Sequence, residues 1–346
     1  MELSAGKYWS LRRLADANGF FKMTAADQRP PIMNVIEAKT GKTATFAQVA
    51  DMKSMLIKCL APQASAILMD PVWAVPHSIQ YADPAKGLII TLEDHQTGEN
   101  DKGGRLSKAI DGIDVAKIKR MGGDAVKVLA WYRPDGDADA CQHQQDFVEA
   151  IGKACKEYDI PFVFELLVYP LPGEADQTKE YAEHASKQPA NVLESVKVFA
   201  DPKFGIDIFK LESPIPAAFV PDPDSSEAAP VQEWFNKLDA ASPVPWVMLS
   251  AGADMDSFER VLTFAFRAGA SGFLAGRAIW LDAVQAYPDM AAIESALMKD
   301  GIAYAERIGA LAEKMATPWH QHRAFTGGIT LAGGNAFPKS YDTFPG

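Results

Sequence analysis

Three long charged side chains interrupt short runs that are otherwise apolar or nearly so. They are Lys127 in DAVKVLAW (124–131), Glu165 in FVFELL (162–167) and Lys210 in IDIFKLE (206–212). A charge in such a run is costly unless it is partnered. Two lysines with neighbouring carboxylates therefore read as a buried ion-pair network, as charges pointing outward between helices, or as a reactive set. The residue types say what that reactivity would be. A lysine amine beside a second cation in a dry pocket is biased toward its neutral form and attacks carbonyls. A nearby glutamate can protonate the carbinolamine oxygen so that water leaves. The resulting iminium is an electron sink, and a ketose C3–C4 bond can break once the C4 hydroxyl loses its proton. This route requires no metal and implies no cofactor.

A metal-dependent route finds less support in the histidines. His77, His95, His143, His184, His320 and His322 form no H-E-x-x-H and no grouping at strand ends. Glu93 and Asp94 form a carboxylate pair of unassigned facing, and His95 just past the third strand has two readings, a residue that touches the site or, favoured, a loop histidine without a role.

Elements able to position these side chains alternate along the chain. Apolar runs predict strands over 20–26, 65–70, 87–92, 125–131, 161–168, 206–211, 245–250 and 272–275. Helical periodicity predicts helices over 45–60, 111–121, 142–158, 191–200, 230–241 and 254–268, and an amphipathic N-terminal helix stopping at Gly19. Eight such units predict an α/β fold, a single (β/α)₈ TIM barrel over residues 1–322 with a Gly/Pro-rich, irregular C-terminal tail over 323–346. No G-x-G-x-x-G follows the first strand, which argues against dinucleotide binding. The Pro- and acid-rich stretch 214–230 reads as a long loop at the substrate face or as an exposed linker.

In a TIM barrel the active site lies at the C-terminal strand ends. There the chain places Asp27-Gln28-Arg29 after the first strand, Asp70 after the second, Ser250-Ala251-Gly252 after the seventh and Gly276-Arg277 after the eighth. Small residues, a hydroxyl and an arginine at the last two positions suit a phosphate, with a helix starting at Arg277. Arg29 is open to two readings, a ligand for a second anion or a surface ion-pair partner.

Composition limits the partners. A net charge of −11 opposes nucleic acid and anionic membrane, so an anionic small substrate would need a local basic pocket. The three widely spaced cysteines contain no C-x-x-C and indicate idle thiols in a reducing cytoplasm. The N-terminus lacks the pattern of a signal peptide, and no apolar run reaches membrane-spanning length.

From about 11 to 319 the chain resembles the tagatose-1,6-bisphosphate aldolase family of class I aldolases. The resemblance runs through NGFFKMTAADQR (18–29), APQASAILMDP (61–71), GGDAVKVLAWY (122–132), IPFVFELLVY (160–169), VKVFADPKFGIDIFKLESP (196–214), PWVMLSAG (245–252) and GASGFLAGRAIW (269–280). It implies Lys210 as the Schiff-base lysine, Glu165 as acid/base, and Asp27 and Lys127 as the supporting pair. It implies phosphate contacts at Ser250, Gly252, Gly276 and Arg277, and Gln28 and Arg29 join them as candidate substrate contacts. The implied partner is a phosphorylated ketose, and a homo-oligomer is expected. The neighbouring sulfofructose-phosphate aldolases are similar in GASGFLAGRAIW and around Trp131-Tyr132-Arg133. Pro30-Pro31 and Tyr169-Pro170-Leu171-Pro172 depart from both branches, which leaves phosphate or sulfonate at C6 as alternatives. A barrel that binds a sugar phosphate without turning it over is the reading from another class.

Overall fold

The computed structural model describes residues 1–174 and 187–341, so His184 and the last five residues lie outside the described part. All eight expected strands form, each within a few residues of its expected bounds. They are β1 (Phe21–Ala25), β2 (Ala66–Met69), β3 (Gly87–Thr91), β4 (Ala125–Trp131), β5 (Phe162–Leu167), β6 (Ile208–Leu211), β7 (Trp246–Met248) and β8 (Gly272–Ala275). They pair in parallel in chain order, and β8 closes onto β1 to make a barrel. The chain is a (β/α)₈ barrel.

Helix boundaries follow local chemistry. Phe46–Leu60 starts at a capping box in which Thr45 and Gln48 satisfy each other's backbone N–H groups. Ala138–Glu157 begins earlier than the periodicity predicts, because Asp137 caps it by accepting from the N–H of Ala140. The N-terminal helix ends at Leu14, short of Gly19. Asp16 turns the chain there by accepting from the N–H groups of Asn18 and Phe20. Pro30-Pro31 opens the helix Pro30–Thr40, where a missing N–H costs nothing.

Side-chain parity divides the interior into layers. On β4, β5 and β6, Val126, Val128, Phe162, Phe164, Phe209 and Leu211 face the surrounding helices and join the main core. The alternate residues Ala125, Val163 and Ile208 fill the floor of the barrel with Phe21, Met23, Leu68 and Val247. Two residues further along come Lys127, Glu165 and Lys210. Two further still on β4 and β5, Leu129 and Leu167 join Trp131, Tyr169 and Leu249 in a smaller apolar cluster. On β4 and β5, Lys127 and Glu165 thus lie between the apolar floor and that smaller cluster.

The floor is sealed from below. Leu3, Leu11, Leu14, Trp319 and Phe325 pack into it, and Glu2–Leu3 pairs in parallel with Thr330–Leu331. The tail is therefore tied to the N-terminus of its own chain as far as Tyr341, whose hydroxyl accepts from the N–H of Gly6. Among the described residues, no helix is long and apolar enough to cross a membrane.

Candidate active site

Barrel register sets Thr91 beside Lys127 and Glu165 beside Lys210 on adjacent strands. Lys127 Nζ lies 3.0 Å from Asp27 Oδ2, 2.7 Å from Glu93 Oε1 and 2.8 Å from Glu165 Oε2. Lys210 Nζ donates to the same Glu165 Oε2 at 2.8 Å. Thr91 Oγ1 donates to Asp27 Oδ2 at 2.9 Å. One carboxylate oxygen thus serves two ammonium groups, and three carboxylates surround Lys127. The position where three carboxylates would hold a cation is filled by an ammonium.

Electrostatics sort the three acids. Burial opposes ionisation of Asp27 and Glu165, but Lys127 and Lys210 outweigh it, and both carboxyls sit below their ordinary values. Arg29 adds to the effect at Asp27. At Glu93 burial wins over Lys127 and Arg29, and the carboxyl is pushed up. Among the described residues, the buried atoms Asp27 Oδ1 and Glu93 Oε2 have no hydrogen-bond partner. The site therefore holds ionised Asp27 and Glu165 near neutral pH, beside an acid that retains its proton more readily.

A cavity opens above this layer. Asp27, Lys127, Glu165 and Lys210 line it together with Gln28, Arg29, Ser250, Gly276 and Arg277. Gly252 is the predicted site residue that does not line it. Its backbone at φ +85° instead backs Arg277, and a Cβ there would come within 3.1 Å of Nη1. Gly276 caps the helix Arg277–Val284, and a Cβ on it would meet the Ala25 carbonyl at 2.6 Å. Arg29 is no surface residue: it is buried and donates to the Glu93 carbonyl at 3.3 Å.

Two residues read as weak or idle belong to the site. Glu93 is a direct partner of Lys127. His95 lines the cavity, 3.2 Å from Asp94 and edge-on to Trp73. Burial and then Arg29 lower its pKa, so it faces the cavity as a neutral ring at pH 7. A carboxylate two residues past a strand was the available signal for Glu93, but its facing depends on how the loop turns. The stretch 214–230 contributes no cavity residue. It packs on the helix Met255–Ala268, where Arg260 binds the Val220 carbonyl and Arg267 binds Asp224. Among the described residues, no group of three or more His, Cys, Asp or Glu side chains is arranged to hold a metal ion.

The model of the DeoC/LacD family aldolases matches residues 23–282. The chain belongs to the DeoC/LacD aldolase family. It is a lyase that breaks carbon–carbon bonds. This DeoC/LacD family aldolase is 32% identical over 330 residues to tagatose 1,6-diphosphate aldolase 1 of Streptococcus mutans, covering 93% of this chain and all of the relative. It is also 32% identical to the tagatose 1,6-diphosphate aldolase of Lactococcus lactis, over 92% of this chain and 99% of that one. Its barrel resembles an archaeal fructose 1,6-bisphosphate aldolase, with a TM-score of 0.53 and 17% identity over 86% of this chain and 99% of that one. It also resembles the fructose-bisphosphate aldolase of Plasmodium falciparum, with a TM-score of 0.60 and 11% identity over 89% and 96% of the two chains. These two likenesses concern the fold.

Proposed function

We propose that this aldolase cleaves a ketose 1,6-bisphosphate, tagatose 1,6-bisphosphate first among them, to dihydroxyacetone phosphate and glyceraldehyde 3-phosphate through an iminium on Lys210. The observation that carries the reading is the contact of Lys210 Nζ with Glu165 Oε2 at 2.8 Å in a buried, cavity-lining site. The relatives' names support the choice of tagatose.

The contact supplies the first proton transfer. Moving one proton from the Lys210 ammonium to Glu165 creates an amine nucleophile and a carboxylic acid together. The amine adds to the C2 carbonyl of the ketose. Glu165 then returns its proton to the carbinolamine oxygen, water departs and the iminium forms. Glu165, again a carboxylate, takes the proton of the C4 hydroxyl as the C3–C4 electrons move into the iminium. Lys127 keeps a cation beside Glu165, and Asp27 and Glu93 hold Lys127 in place. Ser250, Gly276 and Arg277 take the C1 phosphate, Gly252 supports Arg277 from behind, and Gln28 and Arg29 contact the rest of the ketose. The enzyme acts in the cytoplasm as a homo-oligomer, a state that sedimentation checks.

Borohydride reduction in the presence of dihydroxyacetone phosphate tests the reading. A covalent mass on Lys210 is expected, and its absence would leave a barrel that binds sugar phosphate without turnover. Side-by-side rates with tagatose bisphosphate, fructose bisphosphate and 6-deoxy-6-sulfofructose 1-phosphate then order the substrates. A faster rate on the sulfonate would move the substrate to that branch. Cleavage is expected to persist in EDTA, and activity lost to chelation and restored by zinc would refute the iminium route.

Arg277→Ala is expected to raise KM for every substrate carrying a C1 phosphate. A charge-assisted contact is worth roughly 1.5–3 kcal/mol, so the rise should be about ten- to a hundredfold. An unchanged KM in steady-state kinetics would put that phosphate elsewhere.

A further inference from the structure

Lys53 lies on the helix Phe46–Leu60, outside the cavity-lining set, and has no role in the steps above. Its side chain and that of Asp70 are 0% exposed, and they pair at 2.6 Å. Lys53 Nζ also donates to the Ala26 carbonyl at 2.6 Å and to the Gln28 carbonyl at 2.8 Å. Two of its N–H groups thus go to backbone carbonyls, and Asp70 balances its charge as an ion pair. The two carbonyls flank Asp27. β1 ends at Ala25, so both lie past its end. Asp70 Oδ1 accepts in turn from the N–H groups of Val72 and Trp73, at 3.0 and 2.7 Å. Trp73 meets the cavity residue His95 edge-to-face at 5.8 Å.

A buried ion pair is a weak source of stability, since apolar side chains of similar volume often do as well. They cannot supply donors to two backbone carbonyls. We propose that Lys53 is a positioning residue whose ammonium, braced by Asp70, holds the backbone on both sides of Asp27. It thereby sets Asp27 against Lys127, and Gln28 and Arg29 against the substrate. The proposal rests on the reading of this site as the aldolase centre.

The test compares the parental enzyme with Lys53→Met/Asp70→Asn. Lys53→Met alone would strand a buried carboxylate and fold poorly. The double variant is neutral and keeps an oxygen for Val72 and Trp73. Lys7→Met/Asp207→Asn is the control, because it removes a 2.7 Å ion pair at the opposite end of the barrel. In the Lys53 double variant, kcat for tagatose bisphosphate cleavage is expected to fall about 10–100-fold, the scale of a misplaced catalytic group. The acidic limb of kcat/KM is expected to move to higher pH, because Asp27 loses part of the pull of Lys127. The control should change Tm and leave kcat and the pH profile alone. Lys53→Gln/Asp70→Asn keeps an amide donor and should recover part of kcat. A folded Lys53 double variant with parental kcat and pH profile overturns the proposal. Equal losses in variant and control overturn it too, as does a double variant that fails to fold, since the pair would then be structural alone. A parental enzyme that neither cleaves nor traps dihydroxyacetone phosphate would overturn the functional reading itself, before any variant is compared.

Discussion

Lys210→Ala is expected to lower cleavage by on the order of 10⁴-fold or more while leaving the barrel folded. The loss is large because no step of the iminium route proceeds without the amine, and a removed nucleophile is not replaced by its neighbours' contributions. The fold should survive because Glu165 keeps Lys127 at 2.8 Å after Lys210 is gone, so no buried carboxylate is stranded. The apolar floor below the charged layer stays in place. Thermal unfolding should show a modest drop in Tm, and borohydride reduction with dihydroxyacetone phosphate should add no mass. A variant that still traps the ketone would move the Schiff base to Lys127, the other amine of the cluster.

Glu165→Gln is expected to be nearly as damaging and more informative. Gln is close to isosteric, so the packing of β5 should hold, and its amide oxygen can still accept from Lys127 or Lys210. It cannot take the lysine proton or return it. Dehydration of the carbinolamine and deprotonation at C4 should both slow, and cleavage should fall by about 10²–10⁴-fold, the usual scale of lost general acid–base catalysis. Single-turnover trapping across pH separates this from a purely electrostatic role. With Glu165 as a counter-charge only, its loss would favour the neutral amine, and trapping would keep its rate or quicken. Parental rates of both trapping and cleavage would remove Glu165 from the mechanism and leave Asp27 or Glu93 as the acid.

Strand periodicity is a local property, and it was enough to place all eight barrel strands. It was also enough to single out Lys127, Glu165 and Lys210, because a charge in an apolar strand is conspicuous wherever the strand ends up. Strand order then put Ser250, Gly276 and Arg277 at the mouth, since a parallel barrel brings every C-terminal strand end to one face. Tertiary structure decided which charges touch. That Glu165 Oε2 is shared by two lysines depends on the register of β4, β5 and β6 and on closure of the ring, and neither is written in any one segment. Glu93 and His95 sit beyond β3, where loop geometry sets the facing, so no periodicity exposed them. Arg29 looked as suited to the surface as to the cavity until the helix Pro30–Thr40 and the β3 end enclosed it. Lys53 is the clearest case. In MKSMLIK (52–58) nothing distinguishes it from Lys58, yet Lys58 is 57% exposed and Lys53 is 0% exposed. The difference is the side of the helix that packs on the ends of β1 and β2, where two backbone carbonyls and a buried carboxylate supply acceptors for an ammonium, and only the assembled barrel brings those acceptors together.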